Sequence, residues 1–224
     1  MPTLPLADAY VFDIDGTLLV TKDLVHWNAL HQAMIEVYGV DTTIEGIPYH
    51  GKTDISILRA AVAREGISNS EFEAKLPTAL AAVCREVESN HRKLAPKVCP
   101  GIVQLLESLK SNGKLLGVAS GNLETVGWHK IEGAGLRKFF TFGCFSDRHE
   151  SRAEIFRNAL QFVTAQLGPE ARACFVGDTP SDVEAAREVG AQILAVASGT
   201  FSVEELNACS PDLCVSHCGE FFPA

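Results

Sequence analysis

The stretch Tyr10-Val11-Phe12-Asp13-Ile14-Asp15-Gly16-Thr17 is the part of the chain that says most about its fold and chemistry, because an apolar run leads directly into two carboxylates and a glycine. Residues i and i+2 of an extended strand point to the same side, so Asp13 and Asp15 would share one small volume. Two like charges that close are unfavourable unless they share a proton or a cation lies between them. The pair therefore predicts a bound divalent metal, and oxygen ligands favour Mg²⁺.

Composition excludes several classes of protein. The 224 residues carry 19 basic and 28 acidic side chains, a net charge of −9 that argues for a soluble protein and against general nucleic-acid binding. Residues 1–9 lack the basic and apolar regions of a signal peptide, and no run is long enough to cross a membrane. We therefore expect a cytoplasmic protein with no membrane partner. Seven scattered cysteines without a CxxC pair predict free thiols, although Cys209, Cys214 and Cys218 with His217 leave a metal site open.

Short apolar strands alternate with helical segments in most of the chain. Strands are predicted at 115–119, 173–176, 193–196 and 213–215, and 139–145 is strand-like. This alternation predicts a parallel sheet with helices on both faces. Polar residues follow three strands, namely Asp13 and Asp15, Ser120 and Asn122, and Asp178. The carboxyl edge of such a sheet is where ligands bind.

Residues 23–84 have a helical pattern instead. Apolar residues recur at a spacing of three to four, a second helix follows Thr53 or Asp54 as its N-cap, and a third begins near Ser70 with a break at Pro77. This block predicts a helical insertion. We assign residues 1–18 and 96–224 to an α/β core and residues 19–95 to the insertion.

Three motifs together resemble the haloacid dehalogenase superfamily of phosphatases and phosphomutases. Residues 13–17 match its DxDGT motif, residues 118–122 match the strand that ends in Ser or Thr, and residues 176–182 contain its GDxxxD motif. The resemblance covers essentially the whole chain. It implies a Rossmann-like core with a helical cap, as in the phosphoglycolate phosphatase and β-phosphoglucomutase group.

The resemblance also implies roles for the acidic residues. Asp13 would attack phosphorus to form an aspartyl-phosphate, and Asp15 would protonate the leaving oxygen and then activate water. That role requires a raised pKa or a suitable hydrogen bond at Asp15. Mg²⁺ would be held by Asp13, the main-chain carbonyl of Asp15 and Asp178, with Asp182 as a further ligand unless it only caps the following helix.

The resemblance places phosphate oxygens at Ser120 and the backbone N–H groups of Gly121 and Asn122. The family normally has one further motif, called here the third motif, in which a lysine precedes the helix before the GDxxxD motif. This chain departs from that pattern, because residues 146–156 contain no lysine. We propose Arg152 as the substitute cation, with Arg148 second. An alternative alignment puts Glu150 at the lysine position and leaves the cation unassigned.

The cap offers candidate substrate contacts at His26, Gly51, Lys52 and Thr53, although His26 is equally typical of an ordinary amphipathic helix. Residues 46–53 match the Walker A pattern by letter, but the preceding residues form a poor strand and Pro48 lacks an N–H, so a chance match is favoured.

The sequence therefore predicts a Mg²⁺-dependent phosphatase that acts on a small phosphorylated metabolite, as a monomer or homodimer. Asp15 favours phosphoryl chemistry over dehalogenation, because dehalogenases of this superfamily lack the second aspartate. The alternatives are a phosphomutase of the β-phosphoglucomutase type and a non-catalytic binding or regulatory protein on the same fold.

Overall fold

The structure, a computed structural model, describes residues 2–223, which form eight β-strands and eight α-helices. The strands are β1 (Ala9–Phe12), β2 (Leu19–Val20), β3 (Lys97–Val98), β4 (Leu115–Ala119), β5 (Phe142–Cys144), β6 (Ala173–Gly177), β7 (Gln192–Val196) and β8 (Leu213–Val215). The helices are α1 (Val25–Ala33), α2 (Asp54–Arg64), α3 (Asn69–Asn90), α4 (Ile102–Ser111), α5 (Glu124–Gly133), α6 (Arg152–Leu167), α7 (Pro180–Glu188) and α8 (Val203–Ala208). None of these helices combines the length and apolarity that crossing a membrane would need.

Six strands form one sheet in the order β5-β4-β1-β6-β7-β8, and every neighbouring pair is parallel. Tyr10 and Phe12 of β1 join one apolar cluster, whereas Ala9 and Val11 join another, so the sheet is buried on both faces. The predicted fold class, a Rossmann-like α/β core with helices on both faces, is confirmed.

The register of the three central strands brings the predicted polar residues together. Phe12 of β1 lies opposite Val118 of β4 and Val176 of β6. The chain therefore reaches Asp13 at the same level at which the two neighbouring strands end. Ser120 and Asp178 follow at that edge, and the Asp13 N–H donates to the Val176 carbonyl at 2.9 Å.

The helices α1 to α3 form a separate unit above this edge. Their buried side chains, which include Leu30, Leu58 and Phe72, make an apolar cluster distinct from the two that flank the sheet. The segment leaves and rejoins the core through β2 and β3, which pair antiparallel with Leu19 opposite Val98. The limits assigned to the insertion, residues 19–95, stay a prediction.

The third helix of the insertion begins near Ser70 as predicted, but its N-cap and its continuity differ from the prediction. Helix α3 is capped by Ser68, whose hydroxyl accepts the Glu71 N–H at 3.2 Å, and not by Ser70. It also continues through Pro77 without a break. Proline at that position removes one backbone hydrogen bond, but Phe72 before it and Ala79 and Val83 after it are buried in one apolar cluster, and this burial holds the helix together.

Other local predictions also need correction. Asp182 is not the N-cap of α7, because the helix begins at Pro180 and Thr179 caps it. Only 142–144 of the strand-like residues 139–145 join the sheet. The Walker-like residues 46–53, by contrast, form turns and loop with no strand directly before them in the described chain, which agrees with the favoured interpretation of a chance match.

The N-cap of α3 allows a stability test with a matched control. Ser68→Ala removes the side-chain acceptor of the first turn and is expected to lower the free energy of unfolding by about 1 kcal/mol. Ser70→Ala, two residues later, is expected to change it by no more than about 0.5 kcal/mol. Urea unfolding followed by circular dichroism measures both, and equal losses in the two variants would contradict the assignment of Ser68.

Candidate active site

Asp13 lies at the end of the central strand and is only 5% exposed. Its Oδ2 forms an ion pair with Arg152 Nη2 at 2.7 Å, and its buried Oδ1 has no hydrogen-bond partner among residues 2–223. Burial raises the pKa of Asp13 to about 6, against the opposing effect of the Arg152 guanidinium. A buried carboxylate oxygen without a partner requires a further group that can donate to it or bind it.

Asp178 follows β6 and is fixed from two sides. The Thr17 hydroxyl donates to its Oδ1 at 2.9 Å. Its Oδ2 lies so close to Gly16 and Gly199 that a Cβ at either position would collide with it. Burial and the neighbouring charges of Asp13 and Asp182 raise the pKa of Asp178 well above its usual range.

Asp182 is fully buried, and both of its carboxylate oxygens are already used. Oδ1 accepts from Arg152 Nε at 2.6 Å, while Oδ2 accepts from the N–H and the hydroxyl of Thr179 at 3.0 and 2.7 Å. The second set of contacts completes the capping box of α7. Direct metal ligation would compete with all three bonds, so Asp182 is better suited to orient Arg152.

The donor set fits a divalent metal ion. Asp13, Asp178 and Asp182 each offer an oxygen within 4.8 Å of the others, and all three are buried. No other group of this kind occurs in residues 2–223, and the cysteines near the C-terminus are free thiols outside any such cluster. The side chain of Asp15 is not part of this acidic group. This agrees with the resemblance, which assigned only the main-chain carbonyl of Asp15 to the metal.

Asp15 faces the cavity with its side chain 40% exposed and is held by two donors. Its Oδ2 accepts from Lys130 Nζ at 2.7 Å and from Asn122 Nδ2 at 2.8 Å. Burial raises the pKa of Asp15, but the charge and hydrogen bond of Lys130 outweigh it, so the pKa is lowered overall. The structure therefore supplies hydrogen bonds that orient Asp15, and not a raised pKa.

The loop after β4 turns its polar groups toward the same space. Ser120 is buried, lines the cavity and accepts from Asn122 Nδ2 at 2.9 Å, which leaves its own hydroxyl proton to donate. Gly121 packs against the Lys52 carbonyl, where a Cβ would collide. The side chain of Asn122 is committed to Asp15 and Ser120, so this residue can serve an anion only through its backbone.

Arg152 is the cation that reaches the site from the region of the third motif. It is 8% exposed, and Asp13 and Asp182 raise its pKa above the usual value. Arg148 is exposed and does not line the cavity. Glu150 points away, where Arg59 of α2 donates to its two carboxylate oxygens at 2.8 and 2.7 Å. Glu150 thus binds the cap to the core, while Arg152 is the cation that pairs with Asp13.

The cap residues divide into two groups. His26, Lys52 and Gly51 line the cavity, and Gly51 belongs to the second group as well. Thr53 instead caps α2 and donates from its hydroxyl to the Glu150 carbonyl at 2.9 Å, and Gly51 packs so tightly on Thr179 and Ser181 that a Cβ would not fit. Gly51 and Thr53 therefore dock the cap on the core.

A cavity of about 570 Å³ lies between the cap and the sheet edge. Its floor contains the five polar residues that the sequence places after strands: Asp13, Asp15, Ser120, Asn122 and Asp178. Cap side chains such as Trp27, Tyr49 and Ile57 form the opposite wall. A polar floor beneath a partly apolar roof can hold a charged group at one end of a small organic molecule.

Comparisons with known proteins show the family of the chain. The sequence model of the haloacid dehalogenase-like hydrolase family matches residues 10–196, and the chain belongs to this family. A phosphoglycolate phosphatase from Synechococcus elongatus is 30% identical over 91% of this chain and 90% of its own length. Another from Agrobacterium fabrum is 25% identical over 100% of this chain and 94% of its own length.

The solved structure of CbbY from Rhodobacter sphaeroides in complex with phosphate has a TM-score of 0.70, with 18% identity over 96% of each chain. This likeness concerns the fold. The resemblance stated from the motifs is confirmed, as is the expectation that the chain is a hydrolytic enzyme.

Two residues of the site escaped the sequence analysis. Asp54 was considered only as an N-cap, yet its Oδ2 accepts the Leu123 N–H of the core at 2.9 Å. Lys130 was not singled out, although it interrupts the buried face of α5 between Val126 and Ile131. A lysine where helical periodicity predicts an apolar side chain was the available signal.

Crowding around Asp178 predicts a selective loss of metal binding. Gly199→Ala places a methyl group against Asp178 Oδ2 and is expected to weaken Mn²⁺ binding at least about tenfold, because one ligand must move. Gly133→Ala adds the same methyl group at the end of α5, where its nearest contact is 3.2 Å away, and serves as the control. Electron paramagnetic resonance of free Mn²⁺ measures both, and unchanged affinity in Gly199→Ala would contradict the role of Asp178.

Proposed function

We propose that this protein is a Mg²⁺-dependent phosphatase that hydrolyses small phosphate monoesters through an aspartyl-phosphate on Asp13. The observation that carries the proposal is the environment of Asp13. Its carboxylate is buried at the cavity floor, where Arg152 holds one oxygen and no hydrogen-bond partner among residues 2–223 reaches the other. A nucleophile needs such an oriented oxygen with its solvation removed.

In the first step an Asp13 oxygen attacks phosphorus and the bond from phosphorus to the ester oxygen breaks. The departing alkoxide takes a proton from Asp15, which the core holds at the same end of the cavity through Lys130 and Asn122. The products of this step are the free alcohol and the phosphorylated side chain of Asp13.

In the second step Asp15, now a carboxylate, accepts a proton from water as the water oxygen attacks phosphorus. The bond between phosphorus and the Asp13 oxygen breaks, which releases inorganic phosphate and restores Asp13. Asp15 ends with the proton that it had at the start, so the cycle balances. The cap limits the entry of bulk water during both steps.

Several groups are suited to hold the phosphoryl oxygens. The Ser120 hydroxyl and the backbone N–H groups of Gly121 and Asn122 are the neutral donors, and Arg152 is the cationic group beside them. Mg²⁺, when bound by Asp13, Asp178 and the main-chain carbonyl of Asp15, supplies the positive charge that offsets repulsion between the carboxylate and the phosphate dianion. Asp182 keeps Arg152 in line with Asp13.

A small substrate that carries a carboxylate as well as a phosphate matches the positive charge at the rim of the cavity. Lys22 and Lys52 are exposed cap lysines that line it, and both can attract a substrate carboxylate. The curated relatives named above are phosphoglycolate phosphatases. Phosphoglycolate is therefore the first ester to test, and the cytoplasm is the compartment that we propose for the reaction.

Phosphate release tests the proposed reaction directly. The wild-type protein is expected to release phosphate from at least one small ester with Mg²⁺ present and to lose this activity in EDTA. Asp13→Asn is expected to lower the rate at least about 10⁴-fold, because the amide is not a competent nucleophile. A malachite green assay over phosphoglycolate, glycerol phosphate, sugar phosphates and p-nitrophenyl phosphate measures this. Metal-dependent release from none of them would contradict the proposal and favour a phosphomutase or a non-catalytic role.

The role of Arg152 has a matched control four residues earlier in the chain. Arg152→Ala is expected to lower kcat/KM about 10²-fold, because Asp13 loses its partner and the phosphate loses a cation. Arg152→Lys is expected to recover part of this loss, since a point charge remains. Arg148→Ala removes an exposed arginine outside the cavity and should behave like the wild type. Equal effects of the two alanine variants on steady-state kinetics would contradict the assignment.

A further inference from the structure

Lys130 is a buried cation that the motifs of the family do not account for. It lies on α5 and is 2% exposed, on a face that it shares with Val126 and Ile131. A lysine at such a position is unfavourable unless its ammonium group is fully paired. The groups of the site that pair with the ammonium group of Lys130 therefore indicate what this residue does.

The Lys130 ammonium group has three partners, which matches its three N–H donors. Nζ donates to Asp15 Oδ2 at 2.7 Å, to Asn122 Oδ1 at 2.8 Å and to His26 Nδ1 at 3.2 Å. Asn122 in turn donates to the same Asp15 oxygen. Asp15 is thereby held by a closed set of contacts and not by a single flexible pair.

The third partner of Lys130 belongs to the cap. Because an ammonium group can only donate, His26 must accept at Nδ1 and carry its proton on Nε2. Nε2 then donates to Asp54 Oδ2 at 3.1 Å, and that oxygen also accepts the Leu123 N–H. A chain of hydrogen bonds therefore runs from the cap residues Asp54 and His26 through Lys130 to Asp15.

We propose that Lys130 is a positioning residue for Asp15, and that His26 completes this positioning only when the cap is docked on the core. Asp15 would then be aimed at the leaving oxygen only in the closed site. The inference rests on the proposed phosphatase activity, and it adds a link between closure of the cap and alignment of the catalytic acid. Lys130 touches neither the phosphoryl group nor Asp13 in this scheme.

The dependence of rate on the leaving group separates this role from a general structural one. The value of kcat/KM reports steps up to the departure of the alcohol. An alkyl ester needs proton donation at that step, whereas p-nitrophenolate leaves without it. Lys130→Met is expected to lower kcat/KM for phosphoglycolate, or for the best alkyl ester of the panel, about 10²-fold and to lower it less than about fivefold for p-nitrophenyl phosphate. Lys138→Met, an exposed lysine beyond α5, is the control and should leave both values unchanged.

His26 provides a second test in which Lys130 itself is kept. His26→Gln keeps an acceptor and a donor and is expected to retain most of the alkyl-ester activity. His26→Ala removes both and is expected to show the same selective loss as Lys130→Met, though smaller. Circular dichroism and thermal unfolding establish that each variant is folded, and if Lys130→Met does not fold, the His26 pair decides.

Three outcomes would overturn the inference while the wild type remains active: equal losses on both esters, no loss in Lys130→Met, or identical behaviour of the two His26 variants. Failure of the proposed function looks different, since the wild type would then hydrolyse neither ester, or Asp13→Asn would retain activity, and the inference would fall with it.

Discussion

Repulsion among four carboxylates at one edge of the sheet is the constraint on which the rest of the site depends. The parallel register places Asp13, Asp15, Asp178 and Asp182 within a small, largely buried volume. Such a cluster is stable only if cations lie beside it. The core supplies two of them from different helices, and the partnerless oxygen of Asp13 is suited to a metal ion as the third.

The two protein cations, Arg152 and Lys130, pair with different acids. Arg152 joins Asp13 to Asp182, so the proposed nucleophile is tied to the capping box of α7. Lys130 joins Asp15 to the cap through His26. Each acid is thus oriented by a cation from a different helix. In the proposed mechanism this keeps the nucleophile fixed, while the acid–base residue responds to the cap.

The cap is held on the core by contacts that involve the same loops. The Asp54 N–H donates to the Gly121 carbonyl at 2.8 Å, and Arg59 binds Glu150 at the start of the third-motif region. Residues 146–156 lack the lysine of the family pattern, and two of them account for this difference. Arg152 takes the cationic place beside the nucleophile, while Glu150 serves the docking of the cap.

The sequence alone determined the α/β class, the positions of the main strands along the chain and the acids at their ends, because apolar periodicity and motif spacing are local properties of the chain. It could not reveal how Pro77 is accommodated or where Glu150 points, since both depend on packing against another element. The partner of Asp15 lies 115 residues away, and only the tertiary structure decided it. Compensation of buried charge acts through space, so nothing in the spacing of the motifs encodes which cation meets which acid.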